Sequence, residues 1–104
     1  MTTFDDRESA FENKFAHDAE LEFKAASLRN KLIAYWACEL MGRSAEEAAS
    51  YAKEVIRTDF MAPGHEEVVQ KLAADLGDLA DEATIRARMA EFLEQARRRV
   101  REGG

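Results

Sequence analysis

His17, Cys38 and His65 are the side chains best suited to proton transfer, nucleophilic attack or soft-metal binding, and the sequence has no other histidine or cysteine. His17 and Glu20 have the i, i+3 spacing that sets two metal donors on one helix face, but a closed site needs further ligands and none is nearby. The pair is therefore expected to face solvent. Cys38 lies close to Trp36 and Leu40, with no histidine or adjacent basic residue to draw its proton away, which is the setting of a small buried thiol. His65 precedes Glu66 and Glu67 at the start of a helical pattern, where a turn or capping role is expected of it. There is no glycine-rich phosphate loop and no paired metal motif, so the sequence argues against an enzyme and calls for neither cofactor nor metal.

The remaining chemistry is charge. Arg97, Arg98, Arg99 and Arg101 cluster near the end of the chain, followed by Glu102. One reading is a phosphate or nucleotide site, which would make the chain a small-molecule-binding regulatory bundle. The other is a set of cations favoured by the carbonyl end of a last helix. The formal net charge of -6 argues against binding to nucleic acid or anionic lipid. A lone cysteine excludes an intramolecular disulfide and suits a reducing cytosol. The opening MTTFDDRES is acidic where a secretory signal is basic, and no apolar run approaches the ~18 residues of a membrane span. A cytoplasmic protein without membrane insertion is expected.

The elements around these residues read as helices. The sequence is rich in Ala, Glu, Leu, Arg and Lys and has one proline, leaving little material for turns between strands. Gly42 before Ser44, the Pro63-Gly64 pair, and Gly77 before Asp81 divide it into four helices. Ser44 with Glu47 forms a capping box, and Gly42 closes the helix before it. The second helix, about Ala45 to Phe60, places Ala45, Ala48, Ala49, Ala52, Val55 and Ile56 on one stripe. The third turns Val68, Val69, Leu72 and Leu76 inward and stops at Gly77. Asp81 caps a fourth carrying Ile85, Met89, Phe92, Leu93, Ala96 and Val100. The expected fold is an all-α four-helix bundle, with Trp36 in its core.

The first helical pattern is longer than its partners. No strong helix breaker lies between Thr3 and Gly42, and Thr3 with Asp6 can cap the start. A rod of that length reaches ~57 Å at ~1.5 Å per residue, against ~20 to 30 Å for the other three helices. Phe4, Phe11 and Phe15 fall within a ~40° sector, whereas Leu21, Ala25, Leu28, Leu32 and Tyr35 centre ~90° away. That offset fits residues 19–104 forming the bundle while residues 1–18 pack on something else, most simply a second protein; the other reading is a helix that wraps over one edge of its own bundle with partly exposed phenylalanines. The N-terminal part would project, or be partly disordered and fold on docking, because an isolated segment of ~18 residues is marginally helical in water.

The opening MTTFDDRESAFENKFAHDAELEFKAASLRNKLIAYWACELMG resembles the zeta inhibitor subunit of bacterial F-type ATP synthases. Its most specific parts are Phe4 to Glu8, Ala10 to Asp18, Arg29 to Leu32, and Tyr51 to Val55. Leu28 stands where that family often has a basic residue, and Tyr35 where it often has leucine. The resemblance implies a four-helix protein whose N-terminal segment inhibits ATP hydrolysis. That segment would enter the catalytic head between catalytic and noncatalytic subunits, near the central rotor, and block rotation in the hydrolytic direction. The inhibitory residues would be Phe4, Phe11 and Phe15 as anchors, with Asp5, Asp6, Arg7, Glu8, Glu12 and Lys14 as charged contacts. The free chain is expected to be a cytoplasmic monomer, peripheral to the inner membrane when bound.

Overall fold

Ser44 and Glu47 start the second helix as a reciprocal pair. The Glu47 amide donates to Ser44 Oγ at 3.2 Å, and the Ser44 amide donates to Glu47 Oε1 at 3.1 Å. Just before them the first helix closes as a Schellman motif, with the Arg43 amide bonded to the Cys38 carbonyl at 2.9 Å and Gly42 at a φ of 70° that a side chain would strain. Gly77, at φ 55°, ends the third helix by donating to the Ala73 carbonyl. Asp81 starts the fourth by accepting from the Thr84 amide at 2.8 Å.

The computed structural model describes the backbone of residues 3–61 and 64–103 and the side chains of residues 18–61 and 64–103. The elements are α1 (Thr3–Met41), α2 (Ala45–Met61), α3 (Glu66–Leu76) and α4 (Glu82–Arg101), with a 3-10 turn, Gly77–Leu79, between the last two. This is the all-α four-helix architecture expected. The cap proposed for Thr3 and Asp6, and the alternative of partial disorder in this segment, fall outside the described residues.

The core is built from Ile33, Ala34, Ala37 and Cys38 of α1, Ala48, Tyr51, Ala52 and Val55 of α2, Val68, Val69, Leu72 and Leu76 of α3, and Ile85 and Met89 of α4. The inward residues of α3 are those expected. In α2, Ala45 and Ala49 are exposed and Tyr51 is buried instead, because the helix is turned toward α3, where the tyrosine hydroxyl finds a partner. Trp36 is half-buried against the core rather than within it. His65 occupies the position before α3 but makes no side-chain cap bond.

The inward face of α1 differs most from expectation. Its buried residues are Ala25, Arg29, Asn30, Ile33, Ala34, Ala37 and Cys38; Leu21, Leu28 and Leu32 lie half-buried on its flank, and Tyr35 is exposed. Small residues on that face let α2 and α4 approach closely, and the larger leucines cover the edge. By helical-wheel position the buried face centres only about 50° from the sector of Phe4, Phe11 and Phe15, which falls inside its span. The expected divergence between the two halves of α1 is therefore corrected: the phenylalanine positions continue the bundle-facing side.

The bundle ends before α1 does. Val100 and Arg101, at the close of α4, reach Asp18 and Leu21, while Asp59, near the end of the antiparallel α2, meets Asn30. Residues 3–17 of α1 extend beyond both, about 22 Å of helix at the standard rise. The long dimension of 61 Å, against 24 and 21 Å across, matches the length of a single helix of 39 residues.

Candidate functional site

The nine residues singled out from the sequence, Phe4, Asp5, Asp6, Arg7, Glu8, Phe11, Glu12, Lys14 and Phe15, all lie on the overhanging turns of α1; their side chains are outside the described residues. Their foundation is described in detail. At the base of the overhang, Asp18, Leu21, Glu22 and Ala25 line one wall of a cleft of about 220 Å³, and Arg97, Val100 and Arg101 line the other. Arg97 spans it, donating to Glu22 Oε1 from Nη2 at 2.6 Å and from Nε at 3.1 Å. That hydrogen bond holds the Glu22 carboxyl below its ordinary range and raises the Arg97 guanidinium.

Arg97 is thereby taken out of the arginine run considered for phosphate. Arg98, Arg99 and Arg101 occupy the last turn of α4, where the carbonyl end favours cations. His17 lies on the overhang with its side chain outside the described residues, and Glu20 pairs with Lys24 at 3.3 Å. Among the described residues no three metal-ligating side chains converge.

Two polar networks tie the helices together, the first joining α1 to α2 and the second α2 to α3. In the first, Asn30 Nδ2 donates to Asp59 Oδ2 at 2.9 Å and Arg29 Nη2 to the same oxygen at 3.3 Å; Arg29 also donates to Asn30 Oδ1 at 3.0 and 3.1 Å. Arg29 and Asn30 are buried, so a misplaced crossing of α1 and α2 would strand a charge away from water. In the second, the Tyr51 hydroxyl donates to Asp75 Oδ2 at 2.6 Å, and Lys71 reaches that oxygen at 3.2 Å while its Nζ sits 5.0 Å from the Tyr51 ring centroid. Burial and the Asp75 bond push the tyrosine pKa strongly upward. Burial opposes ionisation of Asp75, but the bonds from Tyr51 and Lys71 outweigh it and hold that carboxyl low.

Sequence reading missed both networks. Arg29 and Asn30 sit inside the specific stretch Arg29 to Leu32 and Tyr51 inside Tyr51 to Val55, whereas Asp59, Lys71 and Asp75 lie outside both; for the first network, a charged and an amide residue on the small-residue face of α1 was the available signal. Cys38 is buried, and burial raises its thiol pKa, as befits an inert core residue.

Every buried side-chain nitrogen and oxygen among the described residues has a hydrogen-bond partner. The described residues thus form a helical bundle that carries one helix well past its own end. The chain belongs to the ATPase inhibitor subunit zeta family, whose model matches residues 1–99. That is a family of inhibitor subunits, so its role is regulatory. A protein whose structure was solved by NMR in solution is 37% identical, with a TM-score of 0.73, and the match covers 81% of this chain and 99% of that one. No curated protein matches the chain. Among the described residues no helix is long and apolar enough to cross a membrane.

Proposed function

We propose that this chain inhibits ATP hydrolysis by F-type ATP synthase, using residues 1–18 as a wedge and residues 19–104 as its carrier. The wedge enters the catalytic head between a catalytic and a noncatalytic subunit, beside the central rotor, and blocks rotation in the hydrolytic direction. The observation that carries this reading is the overhang: α1 starts at Thr3, whereas α4 ends beside Asp18. A helix extended past its own bundle has a face available to a partner, and the phenylalanine positions lie on the side that α2 and α4 cover further along.

Phe4, Phe11 and Phe15 act as anchors. Burying three such side chains contributes roughly 5 to 9 kcal/mol, against an ordering cost of about 2 to 5 kcal/mol. Asp5, Asp6, Arg7, Glu8, Glu12 and Lys14 set register and orientation more than affinity. A wedge requires no catalytic residue, cofactor or metal of its own. Phe4→Ala, Phe11→Ala and Phe15→Ala should each raise the concentration needed for half-inhibition while leaving the bundle's melting temperature unchanged. Equal loss of melting temperature in all three would place these residues in the fold instead.

A further inference from the structure

Apart from Tyr51, the polar side chains buried among the described residues are Arg29 and Asn30, at 6% and 1% exposure. Stability does not account for them. Replacing a buried ion pair by apolar side chains of similar volume is often neutral or stabilising, and the best-attested use of such a pair is to fix how helices sit on one another. The geometry suits that use. Two bonds from Arg29 to Asn30 Oδ1 orient the amide, and both residues then donate to the same Asp59 oxygen, at 3.3 and 2.9 Å. The apolar faces around the network are less demanding, with Ala25, Ala34 and Ala37 buried on α1 and Ala48 and Ala52 on α2. Such small side chains offer few knobs to lock one crossing against another.

The network's place in the fold gives it leverage. The turn at Gly42 pins α1 to α2 at one end, and Asn30 pins them again about 12 residues, or ~18 Å, further back. Helix α2 ends at Met61, two residues past Asp59, so this is the last polar tie between the two helices among the described residues. Beyond it α1 has only α4 beside it, where the buried side chains are Ala25 and Ala96 and the polar tie is the solvated pair of Arg97 and Glu22. From Asn30 to Thr3 is roughly 40 Å of helix, so a swing of ~10° about the network carries Thr3 about 7 Å, far outside the ~0.5 Å within which a binding group must be held.

We infer that Arg29, Asn30 and Asp59 are positioning residues for the wedge, a buried polar pin that sets the direction in which α1 leaves the bundle. This rests on the wedge reading. A chain that points its wedge correctly for only a tenth of the time binds about tenfold more weakly, with every contact of the wedge itself intact.

The test replaces the pin instead of breaking it: Arg29→Met with Asn30→Leu and Asp59→Leu in the full chain. Nitroxide labels on Ser9→Cys and Lys53→Cys, in a Cys38→Ala background, report the spread of distances between the overhang and α2; ATP hydrolysis assays use the unlabelled chains. The apolar variant is expected to melt at the same or a higher temperature, to show a broader distance distribution, and to need roughly tenfold more protein for half-inhibition. If it fails to fold, Arg29→Leu with Asn30→Leu takes its place with the same expectations, because Asp59, near the end of α2, is then left within reach of water. A distribution as narrow as that of the unsubstituted chain would overturn the pin. So would a broad distribution with undiminished inhibition, and in both cases the wedge stands if a chain lacking Met1 to Asp18 does not inhibit. If that shortened chain inhibits as well as the full one, the wedge reading fails and the pin's role in inhibition fails with it.

Discussion

Arg97 in α4 grips Glu22 in α1 across 75 residues of sequence, with two guanidinium nitrogens within 3.1 Å of one carboxylate oxygen. The pair ties α4 to α1 about one turn before α4 ends beside Asp18, where α1 becomes an overhang. Both side chains are largely solvated, at 37% and 55% exposure, so its contribution to stability is no more than about 1 kcal/mol. Its role is positional: it holds the end of α4 against the foot of the segment.

That pair has a defined pH dependence. The folded-state pKa of Glu22 is depressed below the ordinary 4.5, so its contribution is present above pH 4.5 and is lost as pH falls through the lower folded value. Arg97→Gln should lower the urea midpoint slightly at neutral pH, and the difference from the unsubstituted chain should vanish in acid. A difference that grew on acidification would contradict the assignment.

Asp59→Ala should be far more damaging. It leaves the buried Arg29 guanidinium facing Asn30 without the carboxylate that offsets its charge, and breaking a buried pair in this way costs about 3 kcal/mol or more. Urea denaturation measures this directly. A loss below about 1 kcal/mol would mean that water reaches Arg29.

The boundaries of the fold were legible because they are local: Gly42, Ser44 with Glu47, Gly77 and Asp81 each act within a few residues. The inward residues of α3 were legible for the same reason, as a single apolar stripe. The face of α1 was not. A reading weighted toward leucine selects Leu21, Leu28 and Leu32, whereas close packing put alanines, Cys38 and a hydrogen-bonded Arg29–Asn30 pair inside. Tyr51 was missed because its burial depends on Asp75, 24 residues away. Thr3 to Asp18 stood out as the candidate segment through length and the spacing of Phe4, Phe11 and Phe15.

Tyr51 predicts an alkaline transition. Its folded pKa is raised far above the ordinary 10.0, so its contribution is fully present below pH 10.0 and is lost as pH rises toward the folded value. In a Tyr35→Phe background, phenolate absorbance from Tyr51 should appear only together with loss of helical circular dichroism. Phenolate formation near the ordinary value of 10.0 in an intact bundle would contradict the buried Tyr51–Asp75 bond. Tyr51→Phe should lower stability by about 1.5 kcal/mol, the scale of a hydrogen bond to a charged acceptor.

The most direct test of the central claim is ATP hydrolysis by the cognate ATP synthase head with the full chain added, compared with a version lacking Met1 to Asp18. The account predicts that the full chain inhibits and that the shortened one, still folded by circular dichroism, does not. Inhibition retained without those residues, or absent with them, would contradict it.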